Sequence, residues 1–186
     1  RVFFWEPIRS IYALGELAVK ATPLLLIALG LAVCFRSNVW NIGAEGQYVL
    51  GAIAASGVAL LADKGTGGWI VIPVILAGIL GGMFWASITA YLRDRFNANE
   101  ILVSLMLVYV AVQLLSYLVA GPWKDPQGYN FPQTKTFDLA TRIPRLFAGS
   151  RVSIGVFFTW VAALGVWVFL FRTRASVNKR FQERLA

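Results

Sequence analysis

Residues 69–92 contain no Asp, Glu, Lys or Arg. Wound as a helix at about 1.5 Å per residue, that run is roughly 36 Å long, more than the ~30 Å hydrocarbon core of a bilayer. The composition points the same way. Apolar residues make up 58% of the chain and charged residues 14%, where soluble domains carry about 45–50% and about 25%. The sequence reads as an integral membrane protein.

Several chemistries are excluded at once. One cysteine forms no intrachain disulfide. With no histidine and a single cysteine, there is no zinc site of the usual kinds and no Ser-His-Asp or Cys-His nucleophile. No metal site is expected. The net charge of +8 would suggest nucleic acid in a soluble chain. Here the bases flank apolar runs, where topology and lipid headgroups account for them, so no nucleic-acid partner is expected. The chain begins at Arg1 without a leader and cleavage site, and reads as part of a longer protein.

Five apolar segments are expected, at about 21–35, 39–62, 69–92, 101–120 and 152–171. The fold class is an all-α, polytopic transmembrane helix bundle, with the second segment broken or re-entrant near 38–45. Residues 1–20 mix Phe3, Phe4 and Trp5 with Glu6, Arg9, Glu16 and Lys20, and read either as an interfacial helix or as an inter-helix loop. Residues 121–151 form a polar, proline-bearing loop. The tail 172–186 carries Arg172, Arg174, Lys179, Arg180 and Arg184 against Glu183 alone, while the loop spreads as many bases over twice the length. Dense short basic flanks stay inside. The tail is therefore expected in the cytoplasm and 121–151 outside, with 93–99 and Arg36 inside.

Some residues need an explanation. Glu45 lies in NIGAEGQ, residues 41–47, inside the second apolar segment. A charge deep in a span costs about 2.5–3.5 kcal/mol on insertion scales and faces a bundle interior or a water-filled cavity. Asn41 suits an N-cap, and the two together describe a helix that starts inside the bundle beside a solute path. The alternative is a cytoplasmic turn with Glu45 near the interface, paired with Arg36. Gly43, Gln47, Gly51, Ala55 and Ala59 recur every fourth residue, as do Gly78, Gly82, Ala86 and Ala90. Small residues at that spacing let helices approach closely, with Gln47 placed to hydrogen-bond between them. Tyr109, Gln113 and Ser116 share a helical face, with Ser104 and Glu100 toward the cytoplasmic start. Path lining and interhelical hydrogen bonding both fit that face. Glu100 also complements the helix dipole. Trp69, Trp123, Trp160 and Trp167 read as interfacial anchors or span residues.

The run PLLLIALGLAVCFRSNVWNIGAEGQYVLGAIAA, residues 23–55, resembles the permease subunit of bacterial ABC importers for nucleosides and simple sugars, within the ribose and branched-chain amino-acid permease family. NANEILVSLMLVYVA, residues 97–111, and GPWKDPQGYNFPQT, residues 121–134, are similar to two further blocks in the same order. The resemblance implies a multi-pass protein of the bacterial plasma (inner) membrane. It would pair with a second permease subunit and sit on cytoplasmic ATPase subunits that hold the ATP and Mg, with no cofactor in this chain. An extracytoplasmic solute-binding protein would dock on 121–151. The tail, with Arg172, Arg174, Lys179 and Arg180, would lead into or form the ATPase-coupling region. The substrate-path candidates are Asn41, Glu45, Gln47, Glu100, Ser104, Tyr109 and Gln113; the packing candidates are Gly43, Gly51, Gly78, Gly82 and Ala86.

The chain departs from the family's pattern in three respects. The family usually has a span before residue 1 and several after residue 186, so the chain reads as an incomplete permease. Val108 stands where nucleoside-type members often carry Asn, which favours a sugar over a nucleoside. RASVNKRFQERLA lacks the small-residue pattern of a coupling segment. The function implied is the path of an ATP-driven importer for a small polar solute, with no reaction catalysed in this chain. The alternative is a channel or secondary carrier working without an ATPase, for which Glu45 alone offers a mid-membrane carboxylate. A membrane-embedded enzyme finds few acid–base groups here.

Overall fold

The computed structural model describes residues 9–62, 67–128, 131–141, 143–144 and 152–185, with side chains throughout except at 11, 139 and 171–185. The expectations placed on residues 1–8, on 63–66, on parts of the 121–151 loop and on the basic side chains of the tail lie outside the described residues. Five helices are present among the described residues: α1 (Ile11–Arg36), α2 (Ala44–Leu60), α3 (Val71–Phe96), α4 (Glu100–Ala120) and α5 (Gly155–Leu185). They divide into two units, one formed by 1–39 and 143–186, the other by 40–142.

In the first unit α1 packs against α5. The α1 helix starts ten residues before the expected apolar boundary, because Ser10 supplies a cap, its Oγ accepting from the Ala13 N–H at 3.1 Å. Residues 11–20 therefore belong to this helix rather than to a separate segment. Pro23 lies within it and removes one rung of the ladder. The end is set by Asn38, whose φ of 56° lies in the left-handed region. The Val39 N–H returns to the Cys34 carbonyl at 3.0 Å and the Asn38 N–H to Phe35 at 3.2 Å, the paired bonds of a Schellman stop. The α5 helix continues past its apolar part, Gly155–Leu170, through the basic tail as one helix. Near its start Thr159 is buried, its hydroxyl donating to the Gly155 carbonyl at 3.0 Å.

In the second unit α2 lies against both α3 and α4. With 17 residues it is about 25 Å long, short of a bilayer core. The α1, α3 and α4 helices are long and apolar enough to cross a membrane, α3 together with the 3-10 turn Gly68–Ile70 that runs into it. Pro73 sits in the first turn of α3, where its missing N–H costs nothing. The α3 helix ends at Asn97, again left-handed with φ 51°. Two residues later the Asn99 side chain caps α4, accepting from the Ile101 and Leu102 N–H groups at 3.0 and 3.4 Å. A corner of three residues thus joins two long helices.

Close approach through small residues builds this unit. A Cβ on Gly51 would lie 2.9 Å from the Gly78 carbonyl oxygen, one on Gly78 3.4 Å from the Ala55 Cβ, and one on Gly82 3.3 Å from the Gln47 carbonyl oxygen. Gly81, outside the four-residue stripe, is tighter still, 2.6 Å from the Ala54 Cβ. Toward α4, a Cβ on Gly43 would meet the Ser104 Cβ at 2.8 Å, and one on Gly46 the Val108 Cα at 3.0 Å. The Trp85 indole donates to the Leu107 carbonyl at 3.3 Å, tying α3 to α4.

Beyond α4 the chain folds back on its own unit. The Asp125 N–H donates to the Gln133 carbonyl at 2.9 Å, and the Asp125 carboxylate accepts from the Gln127 N–H at 3.0 Å. The Trp123 ring covers Gly57. Ala55, Ser56, Ala59, Val74, Phe137 and Thr141 line a cavity of about 160 Å³ there, smaller than the ~300 Å³ at which small-molecule sites begin.

Candidate functional site

The expected path residues fall into three separate groups. The first is the entry to α2. Asn41 is not its N-cap: Gly43 holds that position without a side-chain bond. The Asn41 Oδ1 instead accepts from the Gly43 N–H at 2.9 Å, an Asx turn two residues ahead of the cap, and its Nδ2 donates to the Gln47 Oε1 at 3.3 Å. Asn41 and Gln47 thus bond to each other and shape the turn. Glu45 lies in the first turn of α2, and together with Tyr48 and Ala52 it is exposed, on the side away from Gly46 and Leu50. It makes no ion pair among the described residues.

The second group is the start of α4. Ser104 is 1% exposed, stands against Gly43, and donates to the Ile101 carbonyl at 3.1 Å. One Glu100 carboxylate oxygen accepts from the Trp40 N–H at 2.9 Å, and the other is ion-paired with Arg93 of α3. Glu100 therefore joins three elements: the segment entering α2, the end of α3 and the first turn of α4. Its side chain is only 14% exposed.

Tyr109 and Gln113 form the third group, with Ser116. At about 100° per residue, Ser104, Val108 and Ala111 share one face of α4, and Tyr109, Gln113 and Ser116 lie opposite. Burial follows that division: Ala111 is fully buried, whereas Tyr109, Gln113 and Ser116 are exposed. The Ser116 hydroxyl donates to the Val112 carbonyl at 3.0 Å. The Gln113 amide and the Tyr109 hydroxyl have no hydrogen-bond partner among the described residues. An aromatic ring, an amide and a hydroxyl one turn apart can stack on a flat or apolar face of a solute and hydrogen-bond its polar edge. In an apolar helix they need water or protein beside them.

The sequence reading placed Glu100 and Ser104 with Tyr109 and Gln113 as path candidates; the structure separates these pairs to opposite sides of α4. It also puts Val108 on the packed side, against Gly46. An Asn at that position would stand at the contact between α2 and α4. Gly46, Gly81 and Trp85 were not anticipated. Gly46 and Gly81 fall off the four-residue stripes, though each lies next to a residue on one.

Residues 13–176 match the family described as branched-chain amino acid transport system / permease component. The chain belongs to that family. A glucose ABC transporter permease protein of Haloferax volcanii is 35% identical over 97% of this chain and 50% of its own length. A guanosine ABC transporter permease protein of Bacillus subtilis is 29% identical over 92% of the chain and 49% of its own. A nucleoside ABC transporter permease protein of Lactococcus lactis is 28% identical over 62% and 32%. The chain spans about half the length of the first two relatives. No solved structure matches it. Family and helices together make it a multi-pass integral membrane protein.

Proposed function

We propose that this chain is the membrane-spanning part of a permease subunit that carries a small polar solute, a nucleoside or a simple sugar, through the plasma membrane in an ATP-driven importer. The family match over 13–176 carries this reading, and the relatives named for glucose, guanosine and nucleoside transport support the solute class. ATP hydrolysis belongs to separate cytoplasmic ATPase subunits with their Mg, a second permease subunit completes the path, and an extracytoplasmic binding protein delivers the solute. The helical basic tail, with Arg172, Arg174, Lys179 and Arg180, leads to the ATPase contact.

Within this chain two exposed polar faces are candidates for the path, Glu45 on α2 and the Tyr109–Gln113 face of α4, each on the side of its helix turned away from the α2–α4 contact. Polar side chains on the outside of a well-packed helix trio have to be met by solute, water or another protein. The test is uptake of labelled nucleosides and hexoses by cells carrying the full permease with its ATPase and binding protein. Deleting either the permease or the ATPase is expected to abolish uptake. Uptake that persists without the ATPase would instead establish a channel or secondary carrier.

A further inference from the structure

The Glu100 carboxylate occupies a position that transport by itself does not explain. It belongs to the first turn of α4, yet both oxygens are committed elsewhere, one to the Trp40 N–H and the other to Arg93. Trp40 is the first residue of the second unit, and the segment it opens carries the Asn41 turn, Gly43 and the start of α2. Between Val39 and Ala44 that segment is not helical, and of its backbone the Gly43 carbonyl enters the α2 ladder, accepting from the Gln47 N–H at 3.1 Å. Among the contacts that hold it are the Asn41 side-chain bonds, the packing of Gly43 on Ser104, and Glu100. The corner that carries Glu100 is itself rigidly built, with left-handed Asn97 and the Asn99 cap on either side of Ala98.

We propose that Glu100 is a positioning residue for transport: its carboxylate clasps the α2 entry segment to the α3–α4 corner and does not contact solute. The essential bond is the one accepted from the Trp40 N–H, and Arg93 orients the carboxylate that makes it. A side chain carrying an acceptor oxygen at position 100 is therefore sufficient, and a positive charge there is not. This distinguishes the clasp from an ordinary ion pair, which is indifferent to which partner carries which charge.

The test uses the full permease with its ATPase and binding protein, and four variants: Glu100→Gln, Glu100→Ala, Arg93→Ala, and the exchange Arg93→Glu with Glu100→Arg. The first readout is backbone amide exchange in peptides covering 38–46. Glu100→Ala and the charge exchange are expected to speed exchange at Trp40 by about tenfold to a hundredfold, the range for losing a hydrogen bond to a charged group. Glu100→Gln keeps an acceptor, though a neutral one, and is expected to exchange roughly fivefold faster than the parent. Arg93→Ala, which keeps the carboxylate but not the group that orients it, is also expected to speed exchange less than Glu100→Ala. The second readout is uptake: Glu100→Ala and the exchange should lower the maximal rate several-fold while the half-saturating solute concentration is unchanged. Exchange restored to parental protection by the charge exchange, or Glu100→Gln as fast as Glu100→Ala, would overturn the clasp. A raised half-saturating concentration at an unchanged maximal rate would overturn it in favour of a solute contact. The uptake arm rests on the importer reading and the amide-exchange arm does not, so a parent protein without uptake counts against that reading while the exchange arm still decides the clasp. If Glu100→Ala fails to assemble, Glu100→Gln against the charge exchange carries the same comparison.

Discussion

Glu45 and Glu100 are both carboxylates in the first turn of a helix, and only their surroundings tell them apart. Each complements the helix dipole, worth about 0.3–1 kcal/mol. Glu100 is taken up by two partners; Glu45 is exposed and has no ion pair among the described residues. Glu45→Gln keeps shape and an acceptor, so a loss of at most about 1 kcal/mol in stability is expected. If Glu45 lines the path, uptake falls with assembly intact. Normal uptake by a stable Glu45→Gln protein would remove Glu45 from the path. Asn97 offers a second test at this scale. A side chain other than Gly or Asn at its φ of 51° costs roughly 1–2 kcal/mol. Asn97→Ala should lower the melting temperature of the purified protein, and Asn97→Gly should not.

At the scale of elements, the three-helix packing of α2, α3 and α4 depends on where a methyl group has room. Gly51→Ala places a Cβ 2.9 Å from the Gly78 carbonyl oxygen, which belongs to backbone and cannot swing aside. Overpacking of this kind costs about 1–3 kcal/mol. Gly82→Leu fills the contact with Gln47 and is expected to block assembly of the trio. Gly30→Ala and Gly165→Ala meet nothing within 4 Å, and each should be neutral or stabilising by up to about 1 kcal/mol. Thermal unfolding in detergent checks the contrast: equal stability for Gly51→Ala and Gly30→Ala would show that α2 and α3 separate in the membrane. The cap position expected at Asn41 is held by Gly43, whereas the approximate position of every apolar span was legible, because charge-free runs are local signals. The side of α4 on which each polar residue falls relative to α2 was not. Tyr109, Gln113, Ser104 and Glu100 are spaced within a helix by sequence, but which edge meets α2 is decided by Gly43 and Gly46 on another helix. The start of α1 is not marked by the apolar run, because Glu16 and Lys20 interrupt that run without interrupting the helix.

For the whole molecule the outstanding quantity is sidedness. From charge density the tail is expected in the cytoplasm and 121–151 outside. Gln127 is exposed on that segment, so Gln127→Cys in a Cys34→Ser background should react with an impermeant maleimide added to intact cells. Reaction only after the cells are opened would invert the topology and end the binding-protein role proposed for this loop. On the expected orientation the Glu100 corner lies at the cytoplasmic end, and the folded segment with Trp123 over Gly57 lies at the other.

The two-sided character of α4 ties its function to the number of residues in it. Removing one residue between Ser104 and Tyr109 would turn everything after it by about 100°. The amide and ring would then swing off the open side while Gly43 still gripped the start of the helix. Changes of length are therefore tolerable in the exposed turn at 126–127 and ruinous inside 104–109. A scan of single-codon deletions through both stretches, scored by uptake and by protein level, would map that boundary directly.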